Sequence, residues 1–151
     1  EAKLQAHAEG NGTKAYGNIS HAEGYLTEAN GEMSHAEGYL TKTTENALAS
    51  HAGGIGTITN AQAQTAIGRY NSTNDNALFI VGNGYKNEDT QSIIRQNAFV
   101  INRDGTATVQ KNPEKLMDVA TKDYVDRLIG EINGNINSLT GVIIKTWEAD
   151  D

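Results

Sequence analysis

SHAEGYLTEANGEMSHAEGYLT, residues 20–41, holds one five-residue unit twice, fourteen positions apart. Ser20-His21-Ala22-Glu23-Gly24 returns as Ser34-His35-Ala36-Glu37-Gly38. The unit extends in both directions, through His7-Ala8-Glu9-Gly10 on one side and His51-Ala52-Gly53-Gly54, Thr65-Ala66-Ile67-Gly68 and Phe79-Ile80-Val81-Gly82 on the other. The step is 14 residues throughout, except for 16 between the third and fourth copies. Gly10, Gly24, Gly38, Gly54, Gly68 and Gly82 close the six copies and are read as turn or packing glycines. So short a period predicts coils that each add one rung to a stacked β-structure.

Other columns keep the same step. Ile19, Met33, Ala49, Ala63 and Ala77 lie two places before the motif, and Ser20, Ser34 and Ser50 lie one place before it. Ala15-Tyr16-Gly17 and Ala29-Asn30-Gly31 mark a second half-coil. Each unit therefore reads as two short extended segments joined by tight turns. The two additional residues between Gly38 and His51 predict a loop at an outer corner, where insertion leaves the rungs intact. Alternation places the first and third motif positions on one face, with Ala and Gly on the other. Along the chain that first face changes from His and Glu to Thr65 and Ile67, then to Phe79 and Val81. It is expected to point inward and to become drier toward the C-terminal end.

The chain has 151 residues and 16.2 kDa, with 16 Gly but only two Phe and one Trp. So few large side chains cannot offset the entropy of ordering one isolated backbone, so identical neighbours are expected to supply the missing core. A net charge of −7 with scattered Lys and Arg argues against nucleic-acid binding. No run of about 18 apolar residues predicts membrane insertion. Nothing resembles a secretory leader, and the start at Glu1 reads as that of a fragment. With no cysteine there is no disulfide or thiolate chemistry.

Residues 1–82 are assigned to the repeat region, 83–112 to a loop and β-hairpin capping segment, and 113–151 to a helical neck. Polar residues 83–97 predict a long loop. Arg103-Asp104-Gly105 between Ala98–Asn102 and Thr106–Val109 predicts a hairpin. Pro113 marks the boundary before a helix. There, Ile129, Ile136 and Ile143 are spaced seven apart, as are Val125, Ile132 and Leu139. Placed at a and d, they form the seam of a short trimeric coiled coil, with Gly130, Gly134 and Gly141 at outer positions. Such a short helix, rich in Gly and Asn, needs association to hold it.

The columns His7, His21, His35, His51 and Glu9, Glu23, Glu37 carry the candidate chemistry. Three chains around an axis would gather three imidazoles, a set suited to Zn²⁺ or Ni²⁺. The competing reading is an interior polar ladder, in which each coil supplies donor and acceptor to the next. We adopt the ladder, with no metal and no cofactor. A repeating column is not a locked catalytic constellation, so no catalytic residue is assigned and an enzyme is not expected. Were the chain to cleave polysaccharide, Glu23 and Glu37 would be the first suspects. Outward binding is expected at Asn11, Lys14, Tyr25, Glu28, Tyr39, Lys42 and Thr43, with Tyr25 and Tyr39 as candidate glycan contacts.

The Ser-His-Ala-Glu-Gly units at 20–24 and 34–38 resemble the head repeats of trimeric autotransporter adhesins, whose typical unit is Ser-Val-Ala-Ile-Gly. They are also similar to repeats in tail-fibre, baseplate and receptor-binding proteins of bacteriophages. Residues 76–84 and 97–106 resemble the β-segments that end such phage repeats, and Ala120–Asp126 resembles their junction to a coiled coil. The resemblance implies a homotrimer whose chains each form a β-roll or β-helix. It further implies a structural shaft or tip-proximal module of a virion tail fibre, with other tail or baseplate proteins and host cell-wall glycan or a surface receptor as partners. The alternatives it allows are the head of a bacterial surface adhesin and a glycan-depolymerase tailspike module.

Overall fold

The computed structural model describes residues 5–115 and 117–148, with side chains described as far as residue 139. The chain divides into two compact units between Gln110 and Lys111. The first is a β-solenoid. Each coil contributes a five-residue strand and then a two-residue strand. These are β1 (His7–Asn11) with β2 (Lys14–Ala15), β3 (His21–Tyr25) with β4 (Glu28–Ala29), and β5 (His35–Tyr39) with β6 (Lys42–Thr43). They continue as β7 (His51–Ile55) with β8 (Ile58–Thr59), then β9 (Thr65–Arg69) and β10 (Ala77–Asn83). The long strands stack in parallel in the order β1-β3-β5-β7-β9-β10, and the short ones as β2-β4-β6-β8. The 14-residue step is the register itself: His7 pairs with His21, His21 with His35, and His35 with His51. Thr65 then pairs with His51, and Phe79 with Thr65.

Left-handed residues make the corners. Gln5, Ile19, Met33, Ala49 and Ala63 form one column, and Gly12, Leu26, Leu40, Gly56 and Tyr70 another, all with φ between 40° and 70°. A non-glycine residue there costs about 1–2 kcal/mol. Rung hydrogen bonds hold it, as where Leu26 N donates to Asn11 O at 2.8 Å and Met33 N to Asn18 O at 2.8 Å. The Ile19–Ala77 column noted in the sequence is thus, as far as Ala63, a corner column.

From β1 to β8 the coil interior takes only small side chains, and the larger buried ones, Gln64, Asn71 and Ile80, lie toward its C-terminal end. Ala22, Ala36, Ala52 and Ala66 are fully buried, as are Ala15, Ala29, Thr43 and Thr59. The expectation that His and Glu face inward fails within the single coil. Ala takes that position, and the side chains of His35 and Glu23 stay 35% and 42% exposed. The reason is volume, since an imidazole cannot fit between rungs lined by methyl groups. Buried hydroxyls fill the remaining columns. Ser34 Oγ donates to Gly31 O at 2.6 Å and lies 2.7 Å from Thr43 Oγ1. Thr43 Oγ1 in turn accepts from Asn30 N at 3.0 Å.

The additional pair of residues is Glu45-Asn46, an exposed turn. Rungs on both sides keep their register, with Lys42 on Ile58 and Thr43 on Thr59.

The C-terminal end of the solenoid is closed by imitation and reversal. The Asn71 carboxamide accepts from Ile58 N at 2.8 Å and donates to Ile58 O at 2.9 Å, standing in for the peptide unit of a missing short strand. Arg95 donates to Gly56 O at 2.8 Å and Asn71 O at 3.1 Å. Where a polar loop was expected, β11 (Tyr85–Lys86) and β12 (Ile93–Ile94) form a small hairpin. Next, β13 (Asn97–Asn102) pairs antiparallel with β10, and β14 (Ala107–Val109) pairs with β13. The predicted Asp-Gly hairpin therefore belongs to the solenoid's own broad sheet.

The second unit contains one helix, α1 (Lys122–Glu148). Thr121 caps it, its Oγ1 accepting from Tyr124 N at 3.2 Å. Asp123 sits in the first turn, where a negative charge complements the helix dipole. Arg127 and Glu131 pair one turn apart at 3.0 Å. The seam residues Val125, Ile129, Ile132, Ile136 and Leu139 are exposed in the single chain. The side chain of Ile143 lies outside the described residues. Among the described residues, no helix is long and apolar enough to cross a membrane.

Candidate functional site on the broad sheet

In-register pairing of β1, β3, β5 and β7 turns each residue type into a column at the strand spacing, about 4.8 Å. The imidazoles stack. Ring centroids lie 4.7 Å apart between His21 and His35, tilted by 5°, and 5.0 Å apart between His35 and His51, tilted by 11°. His7 sits 4.9 Å from His21 but tilted by 57°. Two carboxylates reach the ring of the following coil: Glu23 Oε1 lies 3.7 Å from His35 Nε2, and Glu37 Oε1 lies 3.2 Å from His51 Nε2. Of these steps Glu37 to His51 is a hydrogen bond, whereas His35 Nε2 and His21 Nε2 have no hydrogen-bond partner in the single chain.

Beside it runs a groove of about 540 Å³, floored by Gly10, Gly24, Gly38 and Gly54 and walled by Glu9, Glu23 and Glu37. The floor must be glycine, because a Cβ on Gly24 would sit 2.3 Å from Gly38 O. Tyr25 and Tyr39 follow the groove glycines and stack at 5.5 Å with their rings tilted by 9°. Sequence reasoning separated these tyrosines from the ladder, whereas the strands carry both on one edge of the sheet. On the short-strand side Glu28 bridges Lys14 at 3.3 Å and Lys42 at 2.9 Å, a cross-coil charge ladder that the sequence reading treated as separate outward residues.

His35 is held below the ordinary imidazole pKa, first by burial and then by the neighbouring His51 and His21, with Glu37 and Glu23 opposing. Glu28 is held below the usual carboxylate range by Lys42 and Lys14. For both groups folding is favoured by the deprotonated form. The His35 contribution is present above pH 6.5 and lost as pH falls through its depressed value. The Glu28 contribution goes next, below pH 4.5. Thermal melts in EDTA-containing buffer are therefore expected to show a lower midpoint at pH 5 than at pH 8. Equal midpoints would show that the ladder tolerates charged imidazole.

The donor atoms of Glu23, His35 and Glu37 all lie within 4.8 Å of one another. No protein-family model matches the chain, and no curated protein matches it.

Proposed function

We propose that this chain is a structural module of a homotrimeric fibre, a shaft or tip-proximal segment of a phage tail fibre supporting host attachment. One observation carries the reading: the distribution of side-chain size is inverted. As far as Thr59 the interior holds Ala, Ser and Thr, while Ile19, Met33, Leu26, Leu40, Ile55 and Ile67 line the outside and are 37–50% exposed. In the two middle coils they repeat, with Ile19 followed by Met33 at one corner and Leu26 by Leu40 at the other, so neighbouring coils there present the same apolar edge. Repetition of this kind suits burial against another copy of the same repeat. The α1 seam offers a second surface of the same type.

A non-enzymatic role fits the His–Glu geometry, which recurs from coil to coil instead of assembling one unique pair. A bacterial adhesin head is the second reading. The half-exposed, stacked Tyr25 and Tyr39 favour it, since flat aromatic pairs suit the apolar faces of sugar rings.

The deciding measurement is particle mass by light scattering. The expected value is three times the 16.2 kDa of the chain. Combined Ile132→Asp and Ile136→Asp is expected to lower that mass or shift it to higher concentration. A folded monomer of the unaltered chain at micromolar concentration would overturn the trimer. Binding of the isolated module to host glycan, lost in Tyr25→Ala with Tyr39→Ala, would favour the adhesin.

A further inference from the structure

Columns of like charge are costly. Glu9, Glu23 and Glu37 align on consecutive rungs, so their carboxylates repeat at the strand spacing along the groove. On the opposite sheet the equivalent problem is answered by lysine, with Glu28 held between Lys14 and Lys42. On this face, among the described residues, the basic groups within 4 Å of Glu23 and Glu37 are imidazoles alone, His35 and His51. The Nε2 atom of His35 is screened from solvent and has no hydrogen-bond partner, although it points at the Glu23 carboxylate. In the tautomer protonated at Nδ1, this shielded nitrogen is an electron-pair donor close to both carboxylates.

We propose that Glu23, His35 and Glu37 bind one divalent transition-metal ion per chain, with Zn²⁺ as the favoured ion. The set offers one nitrogen and two carboxylate oxygens, already within 4.8 Å of one another. Zn²⁺ takes such ligands at about 2.0–2.2 Å, so binding would draw the three donors closer together. The imidazole selects a borderline ion over Ca²⁺ or Mg²⁺, which prefer oxygen alone. Three ligands leave the remaining coordination positions to water.

The repeat also explains why one rung is singled out. In the following coil Gly53 replaces the third glutamate, so Glu37 and His51 lack a second carboxylate. In the preceding coil Glu9, His21 and Glu23 repeat the chemistry, and His21 Nε2 is likewise buried without a partner, but it is the donor atoms of Glu23, His35 and Glu37 that converge. The coil between is the only one of the four with a full donor set and rings stacked on both sides. The inference uses the donors of one chain and stands apart from the trimer.

The test is a titration of the purified chain, stripped with EDTA, with ZnCl₂ in a calorimeter. Co²⁺ serves as a visible-absorbing probe of the same site. One equivalent per chain is expected, with d–d absorption showing mixed nitrogen and oxygen ligands. A Tm increase that EDTA reverses is also expected. His35→Asn and Glu37→Gln, at half-exposed positions, should each weaken binding at least tenfold, whereas His7→Asn should leave it unchanged. Circular dichroism of each variant confirms that the rungs are intact. No heat and no absorption change in the unaltered chain would overturn the site. So would binding that survives both His35→Asn and Glu37→Gln. Scattering mass recorded before and after stripping reports on the trimer independently.

Discussion

Gly38→Ala is expected to destabilise the solenoid by more than about 3 kcal/mol, enough to remove its cooperative thermal transition. Two independent effects add at that residue. Its φ of +101° lies beyond the left-handed helical region, where a side chain is strained. A Cβ built there would also lie 2.4 Å from Gly54 O, in the backbone of the next rung. That oxygen cannot retreat without breaking the ladder between β5 and β7. Gly24→Ala and Gly54→Ala meet the same obstacle at 2.3 Å and 2.2 Å. A control separates this from glycine substitution in general. Gly134, in α1, has open space around the added methyl, and Gly134→Ala should stabilise the helix by about 0.5–1 kcal/mol. Circular dichroism melts of the four variants check both signs. A Gly38→Ala protein that melts within a few degrees of the parent would show that the rungs can part locally.

Ala36→Leu should be nearly as damaging, for a different reason. Ala36 is fully buried, and its neighbours in the same column, Ala22 and Ala52, are too. In an ordinary core, overpacking costs about 1–3 kcal/mol because surrounding side chains shift. Here the surroundings are methyl groups and backbone, with no rotamers to absorb three added carbons. The loss is expected at or above the upper end of that range, read as the fall in urea midpoint at unchanged m-value. Ala36→Gly, which only removes a methyl, should cost about 1 kcal/mol. Near-parental stability of Ala36→Leu would mean that the coil is wider than its lining of small residues implies.

The two substitutions mark where sequence reading succeeds and where it stops. Rung length, rung number and the place of the insertion all follow from the positions of glycine and His-Ala-Glu. In-register parallel pairing copies the sequence step directly into space. The inside–outside assignment does not follow, because alternation identifies two faces without naming the buried one. Burial was assigned to the polar face by its later replacement with Phe79 and Val81. Within a single coil volume decides otherwise, and Ala was available as the clue. The left-handed corners were hidden for a related reason. Ile19, Leu26, Met33 and Leu40 are poor candidates for positive φ, and the conformation is imposed by rung hydrogen bonds that no single coil displays. Asn71 and Arg95 act on backbone atoms 13 and 39 residues away, beyond the reach of any local pattern. At the candidate site the His and Glu columns were legible. The reach of each carboxylate to the ring one coil onward was not, since it depends on rotamers.

The direction of the hydrogen bonds has a mechanical consequence. Between rungs they run along the stacking direction, so tension on that axis acts on them head-on rather than in shear. Each coil is joined to the next covalently by a single crossing of the chain. A pulled molecule should therefore peel coil by coil, with a repeated length increment set by 14 residues of slack and one longer step at the 16-residue coil. The antiparallel β10–β13–β14 end, tied across by Arg95, should be the last to yield.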